Sequence, residues 1–152
     1  MKTKFKIFFF LTLFFLSSCG YQPIYSSKGE NFSIGEMKIY GDKDLEKYFE
    51  TQIKRFQNKN ENTFNLDVYL DSSKNTISKD KKGNPSIYGL SISAKIIFKK
   101  NNDSEVTKTF SQNTQYNNKE NKFDLKRYEN NLEKQLLNEI IEDLIFFIHT
   151  MR

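Results

Sequence analysis

The sequence predicts a two-layer α+β sandwich, a four-stranded and mainly antiparallel sheet with two helices on one face, in the order β-α-β-β-β-α. Three observations lead there. Segments after Asp42 and after Asp124 repeat apolar residues at helical spacing, while Phe64 to Leu70 and Tyr88 to Phe98 alternate apolar and polar residues strictly. Each amphipathic helix in turn needs a partner layer to cover its apolar face.

Phe32 to Tyr40 supplies the first strand, with Ile34, Met37, Ile39 and Tyr40 as its apolar residues and Gly41 as its end. Asp42 then caps a helix whose residues Leu45, Tyr48, Phe49, Ile53 and Phe56 share one face. Asp44 and Glu46 complement its positive end, and Lys54 and Arg55 its negative end. That aromatic face could meet lipid, but packing on a sheet is the simpler use of it. Phe64, Leu66, Val68 and Leu70 alternate with Asn65, Asp67, Tyr69 and Asp71, the clearest strand in the chain. Ser72 to Ser86, with four lysines and almost no apolar residue, reads as a long exposed loop.

Tyr88, Leu90, Ile92, Ala94, Ile96 and Phe98 form the next strand, and Asn101-Asn102-Asp103 turns the chain into Glu105 to Tyr116. That last strand is weakly patterned, because Lys108 shares the parity of Val106 and Phe110; an edge position or a bulge would account for it. Asp124 is placed to cap a final helix with the stripe Leu125, Tyr128, Leu132, Leu136, Ile140, Leu144 and Ile148. The apolar run from Ile140 to Ile148 is too short, and with Glu142 and Asp143 too charged, to span a bilayer. The sheet face away from the helices should carry Asn65, Asp67, Tyr69, Ser91, Ser93, Lys95, Ile97 and Lys99, polar but with Tyr69 and Ile97 available to a partner.

The N-terminus has its own logic. Lys2, Lys4 and Lys6 precede an apolar run from Ile7 to Leu16, and Leu16-Ser17-Ser18-Cys19-Gly20 follows with the sole cysteine. As a helix that run reaches only about 15 Å, half of a hydrocarbon core, so a cleaved export signal is the better reading than a membrane anchor. A Leu, two small residues and Cys form a bacterial lipobox, in which Cys19 becomes the acylated first residue of the mature chain. Residues 1–18 are thus the expected signal peptide, residues 19–31 a lipid-anchored tether and residues 32–152 one domain. Two or more acyl chains hold a protein on a membrane stably. Gly20 stands where an Asp commonly retains such proteins at the inner membrane, which points to the outer membrane.

Without the three signal lysines, 21 basic residues face 19 acidic ones, too mild a balance for a nucleic-acid binder, and an exported protein would not meet nucleic acid. An enzyme is equally poorly supported. His149, the sole histidine, lies near a helix end, and no Cys or His cluster or Gly-rich phosphate loop appears, so neither metal nor cofactor is expected.

Cys19-Gly20-Tyr21-Gln22-Pro23-Ile24-Tyr25 resembles the Cys-Gly-Phe-x-Pro-Leu-Tyr opening of the alphaproteobacterial lipopolysaccharide-assembly lipoprotein family, LptE. Tyr21 replaces the usual Phe and Ile24 the usual Leu. Tyr116-Asn117 echoes a Tyr-Asn element before that family's final helix. The resemblance implies a non-catalytic protein held beneath the outer membrane, plugging the lumen of the β-barrel LptD, assisting its assembly and helping to place lipopolysaccharide in the outer leaflet. For contact with lipopolysaccharide phosphates, Lys79, Lys81 and Lys82 form the best local cluster, and Lys95, Lys99 and Lys100 the second. A solvated charge run is the ordinary alternative. A generic periplasm-facing adaptor or ligand carrier on the same anchor is the other functional reading.

Overall fold

A computed structural model describes residues 32–57, 63–100 and 104–151; the signal peptide, Cys19 and the tether lie outside the described residues. The elements follow the order read from the sequence: β1 (Ser33–Tyr40), α1 (Lys43–Ile53), a 3-10 turn (Lys54–Phe56), β2 (Thr63–Lys79), β3 (Pro85–Lys100), β4 (Ser104–Asn117) and α2 (Lys122–Thr150). The strands lie side by side in sequence order, β1 parallel to β2 and the other two pairs antiparallel. A parallel pair needs a crossover, and α1 provides it.

Local chemistry sets these boundaries. A Cβ on Gly41 would lie 2.6 Å from the Leu70 carbonyl oxygen, so only glycine lets the chain leave β1 so close to β2. Asp42 then accepts the Asp44 amide at 2.9 Å and starts α1. Leu45, Phe49, Ile53 and Phe56 are buried against the sheet, as their spacing predicts. A bulge between Ile34 and Met37 switches the parity of β1, so that Ile34 faces the core before it and Met37 and Ile39 after it.

Both helices cover the face built from Phe64, Leu66, Val68, Leu70, Leu90, Ile92, Ala94, Ile96 and Phe98. From α2, Leu137, Ile140, Leu144, Ile145 and Ile148 complete that core. Each such side chain contributes about 1.5–3 kcal/mol when fully buried. Phe32 closes the base of the sandwich, stacked on Phe56 at 6.1 Å and edge-on to the His149 ring at 4.9 Å. Lys108 reaches over the Phe147 ring at 5.6 Å, which is how an edge strand accommodates a lysine on its helix side; β4 pairs with β3 without a bulge.

Two expectations are corrected. Ser72 to Ser86 is not a long loop: β2 continues to Lys79 and β3 begins at Pro85, leaving only the turn 80–84. The apolar alternation stops at Leu70 because α1 starts opposite it; beyond that row only α2 overlies the sheet, and Ser72, Lys74 and Thr76 take the helix-side positions. The cap of α2 is also not Asp124. Asn121 accepts the Phe123 and Asp124 amides at 2.9 and 3.3 Å, while Asp124 pairs with Arg127 at 3.2 Å inside the helix.

Candidate functional site

The extension of β2 and β3 beyond α1 forms an arm tipped by Lys79, Lys81 and Lys82. Asp80 shapes the tip: its carbonyl accepts the Gly83 amide at 3.0 Å, and its carboxylate accepts the Lys82 and Asn84 amides, both at 2.8 Å. Gly83, at φ +85°, takes the left-handed position that a three-residue hairpin loop demands. The Asn84 amide, with the other turn amides, holds the Asp80 carboxyl below its ordinary pKa against a smaller opposing effect of desolvation. The only acid at the tip is therefore folded back on the backbone, and the exposed lysines face outward.

A second basic segment lies beside the arm. Asn118 bridges back to β3, its amide donating to Ser86 O at 2.9 Å and its side chain to Pro85 O at 2.7 Å. This places the connection from β4 to α2 at the foot of the tip. Lys119 stands over the Tyr128 ring at 4.0 Å, Lys122 donates to Asn118 Oδ1 at 3.2 Å, and Phe123 is 75% exposed. Lys119, Lys122 and Phe123 were not picked out by the sequence reading. One signal could have found Lys122: with Lys126 and Arg127 it crowds the start of a helix, where the dipole favours anions.

A partly buried polar network holds the arm to α2. Lys74 Nζ donates to Glu129 Oε1 at 2.5 Å, and Tyr116 OH donates to the same oxygen at 2.7 Å. The Lys74 ammonium also sits 4.0 Å from the centre of the Tyr88 ring. Desolvation works to raise the Glu129 pKa, but the hydrogen bonds from Lys74 and Tyr116, with the positive charges of Lys74 and Lys126, together outweigh it and the net displacement is downward. Burial, then the hydrogen bond to Glu129, pushes the Tyr116 hydroxyl well above the usual phenol range.

Lys95 and Lys99 lie elsewhere. They occupy the open face of β3, in register with Tyr69 and Asn65, and Lys99 is 14 residues along the strand from Pro85 at the tip, about 46 Å at strand rise. One head group cannot touch both clusters. Lys99 donates to Asp67 at 2.6 Å, with Glu105 at 3.8 Å; that hydrogen bond holds its pKa up against some desolvation. Lys95 forms no ion pair among the described residues and neighbours Tyr69, which stacks on Tyr40 at 4.9 Å.

A cleft of about 790 Å³ opens between the helices above Leu45 and Leu70, its walls mixing Asp42, Asp71, Lys126 and Lys134. Among the described residues no group of His, Cys, Asp or Glu is arranged to hold a metal, and no helix is long and apolar enough to cross a membrane.

The fold is an α+β sandwich that bacterial lipoproteins share. It resembles the crystal structure of rare lipoprotein B from Shewanella oneidensis with a TM-score of 0.57 at 10% identity, covering 77% of this chain and 98% of that one. A minor lipoprotein from Acinetobacter baumannii gives a TM-score of 0.58 at 10% identity over 78% and 90% of the two chains. A putative lipoprotein from Caulobacter crescentus gives 0.55 at 13% identity over 77% and 88%. At these identities the likeness is one of fold. No protein-family profile and no curated protein matches the sequence.

Proposed function

We propose that this chain is a non-catalytic outer-membrane lipoprotein, anchored through acylated Cys19, that plugs and assists assembly of an LptD-like β-barrel and takes part in inserting lipopolysaccharide into the outer leaflet. One observation carries the reading: a lipobox running into Cys19-Gly20-Tyr21-Gln22-Pro23-Ile24-Tyr25 heads a domain whose fold is that of structures named as lipoproteins. The surface supports it as well. A barrel lumen is polar and wet, and the open sheet face presents Asn65, Ser91, Ser93 and Thr109 around the exposed Tyr40–Tyr69 stack.

Within this reading the basic tip is the element suited to lipopolysaccharide. Lys79, Lys81 and Lys82 supply ammonium groups for phosphate, and the exposed Phe123, on the connection that Asn118 ties beneath the tip, supplies apolar surface for an acyl chain. Such a site performs no bond-breaking step; it binds and orients.

The test is purification of the native protein from solubilised outer membranes. The expected result is a detergent-resistant complex with one large barrel protein, and a mass at Cys19 that includes acyl chains. Recovery of an isolated lipoprotein would favour the adaptor or carrier reading, and an unmodified Cys19 thiol would overturn the anchor itself.

A further inference from the structure

We infer that the free edge of β4 receives an extended strand from another polypeptide, and that the arriving strand presents basic side chains to Glu139 and Asp143 of α2. The inference rests on strand geometry and is independent of the lipid-anchored reading.

The two edges of the sheet differ in how they are guarded. β1 is 8 residues long, is interrupted by a bulge and carries a Glu36–Lys38 pair at 3.9 Å, all features that discourage pairing with a foreign strand. β4 is 14 residues long and runs in unbroken register with β3. No Gly or Pro interrupts it, and no charged residue stands between Thr109 and Asn117. Each strand residue directs its backbone N–H and C=O sideways, so the outer edge of β4 offers a long row of donors and acceptors to a strand that can match them.

The flank of α2 above that edge decides what the strand must carry. Tyr48 of α1 donates to Asn138 at 3.2 Å and Lys134 lies over the Tyr48 ring, so one flank of α2 faces α1. The other flank lies over β4, where Asp143 accepts from Gln112 at 2.9 Å. Glu139, one turn earlier, shares that flank. Neither carboxylate is in an ion pair among the described residues, and α2 has no Lys or Arg after Lys134. The nearest cation on the helix side of β4, Lys108, lies over Phe147. A second copy is the poorer occupant. Pairing β4 with itself about Ser111 would set Asp143 of each copy beside the axis, like charge against like. A strand with Lys or Arg at alternate positions meets the same carboxylates favourably.

The test uses the full chain in detergent and a labelled probe peptide, Thr-Lys-Thr-Val-Thr-Lys-Thr-Val-Thr, read by fluorescence anisotropy and by amide hydrogen exchange. The expected result is saturable binding that slows exchange across Thr109 to Asn117. Methylating alternate peptide nitrogens should abolish it, and replacing both lysines of the peptide by Glu should weaken it roughly tenfold. The pair Glu139→Lys and Asp143→Lys should invert the preference. Binding that survives N-methylation, equal binding of the Lys and Glu peptides, or slowed exchange at β4 from self-association before peptide is added would each overturn the inference, as would no binding at all.

Discussion

The base of the sandwich and the arm beyond α1 are cut from the same three strands but are held together by different forces. In the base, two helices and four strands enclose Phe49, Ile53, Leu66, Phe98, Ile140 and Leu144, all essentially without exposed surface. In the arm, only the first half of α2 overlies the sheet; Leu90, Leu125 and Tyr116 are buried there, around the polar contact of Lys74 with Glu129. Apolar burial sets the global stability, whereas the arm depends on a few directional bonds that can open without unfolding the whole. The lysines proposed to meet a ligand sit on the part that opens most readily.

The comparison can be broken from the base first. Phe49→Ala, at 0% exposure, should cost about 3–5 kcal/mol and shift the denaturant midpoint of the entire domain. Glu129→Ala should cost less, about 1–3 kcal/mol, by leaving the Tyr116 hydroxyl buried without its acceptor. Its signature should be local: faster amide exchange from Ser72 to Lys79 and in the first turns of α2, with the base unchanged. Equal acceleration in both regions would mean that arm and base unfold as one.

Acid sharpens the same contrast. The folded-state pKa of Glu129 lies below its ordinary value of 4.5, so its contribution is complete above that value and disappears as pH falls through the depressed folded one. The stability gap between the native chain and Glu129→Gln should be constant near neutrality and close on acidification. Gly83→Ala should cost about 1 kcal/mol through its backbone alone, since nothing lies within 4 Å of the added carbon. Its effect should be confined to exchange at the tip. Lys99→Met should produce the smallest change, a slight midpoint shift that added salt removes, because the pair with Asp67 is partly solvated.

The contrast also explains which parts of the fold were legible in the sequence. Where α1 and α2 both overlie the sheet, every second residue of β2 and β3 is apolar, and Phe64 to Leu70 and Ala94 to Phe98 announce themselves; on β3 the alternation runs on into the arm through Ile92 and Leu90, and it is β2 that loses it. In the arm, Ser72, Lys74 and Thr76 occupy helix-side positions beneath a half-covering layer, so the period-two signal vanishes although the strand continues. A lysine neutralised by a glutamate more than fifty positions later cannot be told from a solvated one by local pattern. The helix start was misplaced for a related reason: Asn121 and Asp124 are both sound capping residues, and only the accepted amides distinguish them. Of the candidate site, Lys79, Lys81 and Lys82 were visible as a cluster, but their proximity to Lys119, Lys122 and Phe123 depends on Asn118 reaching back to Pro85 and Ser86. That contact joins segments far apart in the chain.

The length of β2 also fixes a vertical reach. Its 17 residues carry the chain from Thr63, paired with Ser33 where the tether enters the domain, up to Lys79, a rise of about 53 Å. The 13 Cα–Cα steps from Cys19 to Phe32 span at most about 45 Å. If Cys19 carries the proposed acyl anchor, a domain standing upright on it would lift its tip farther from the point of entry than the roughly 30 Å thickness of a bilayer interior. On the proposed acyl anchor, a three-stranded mast of this height would carry cationic groups toward the far leaflet from fatty acids seated in the near one.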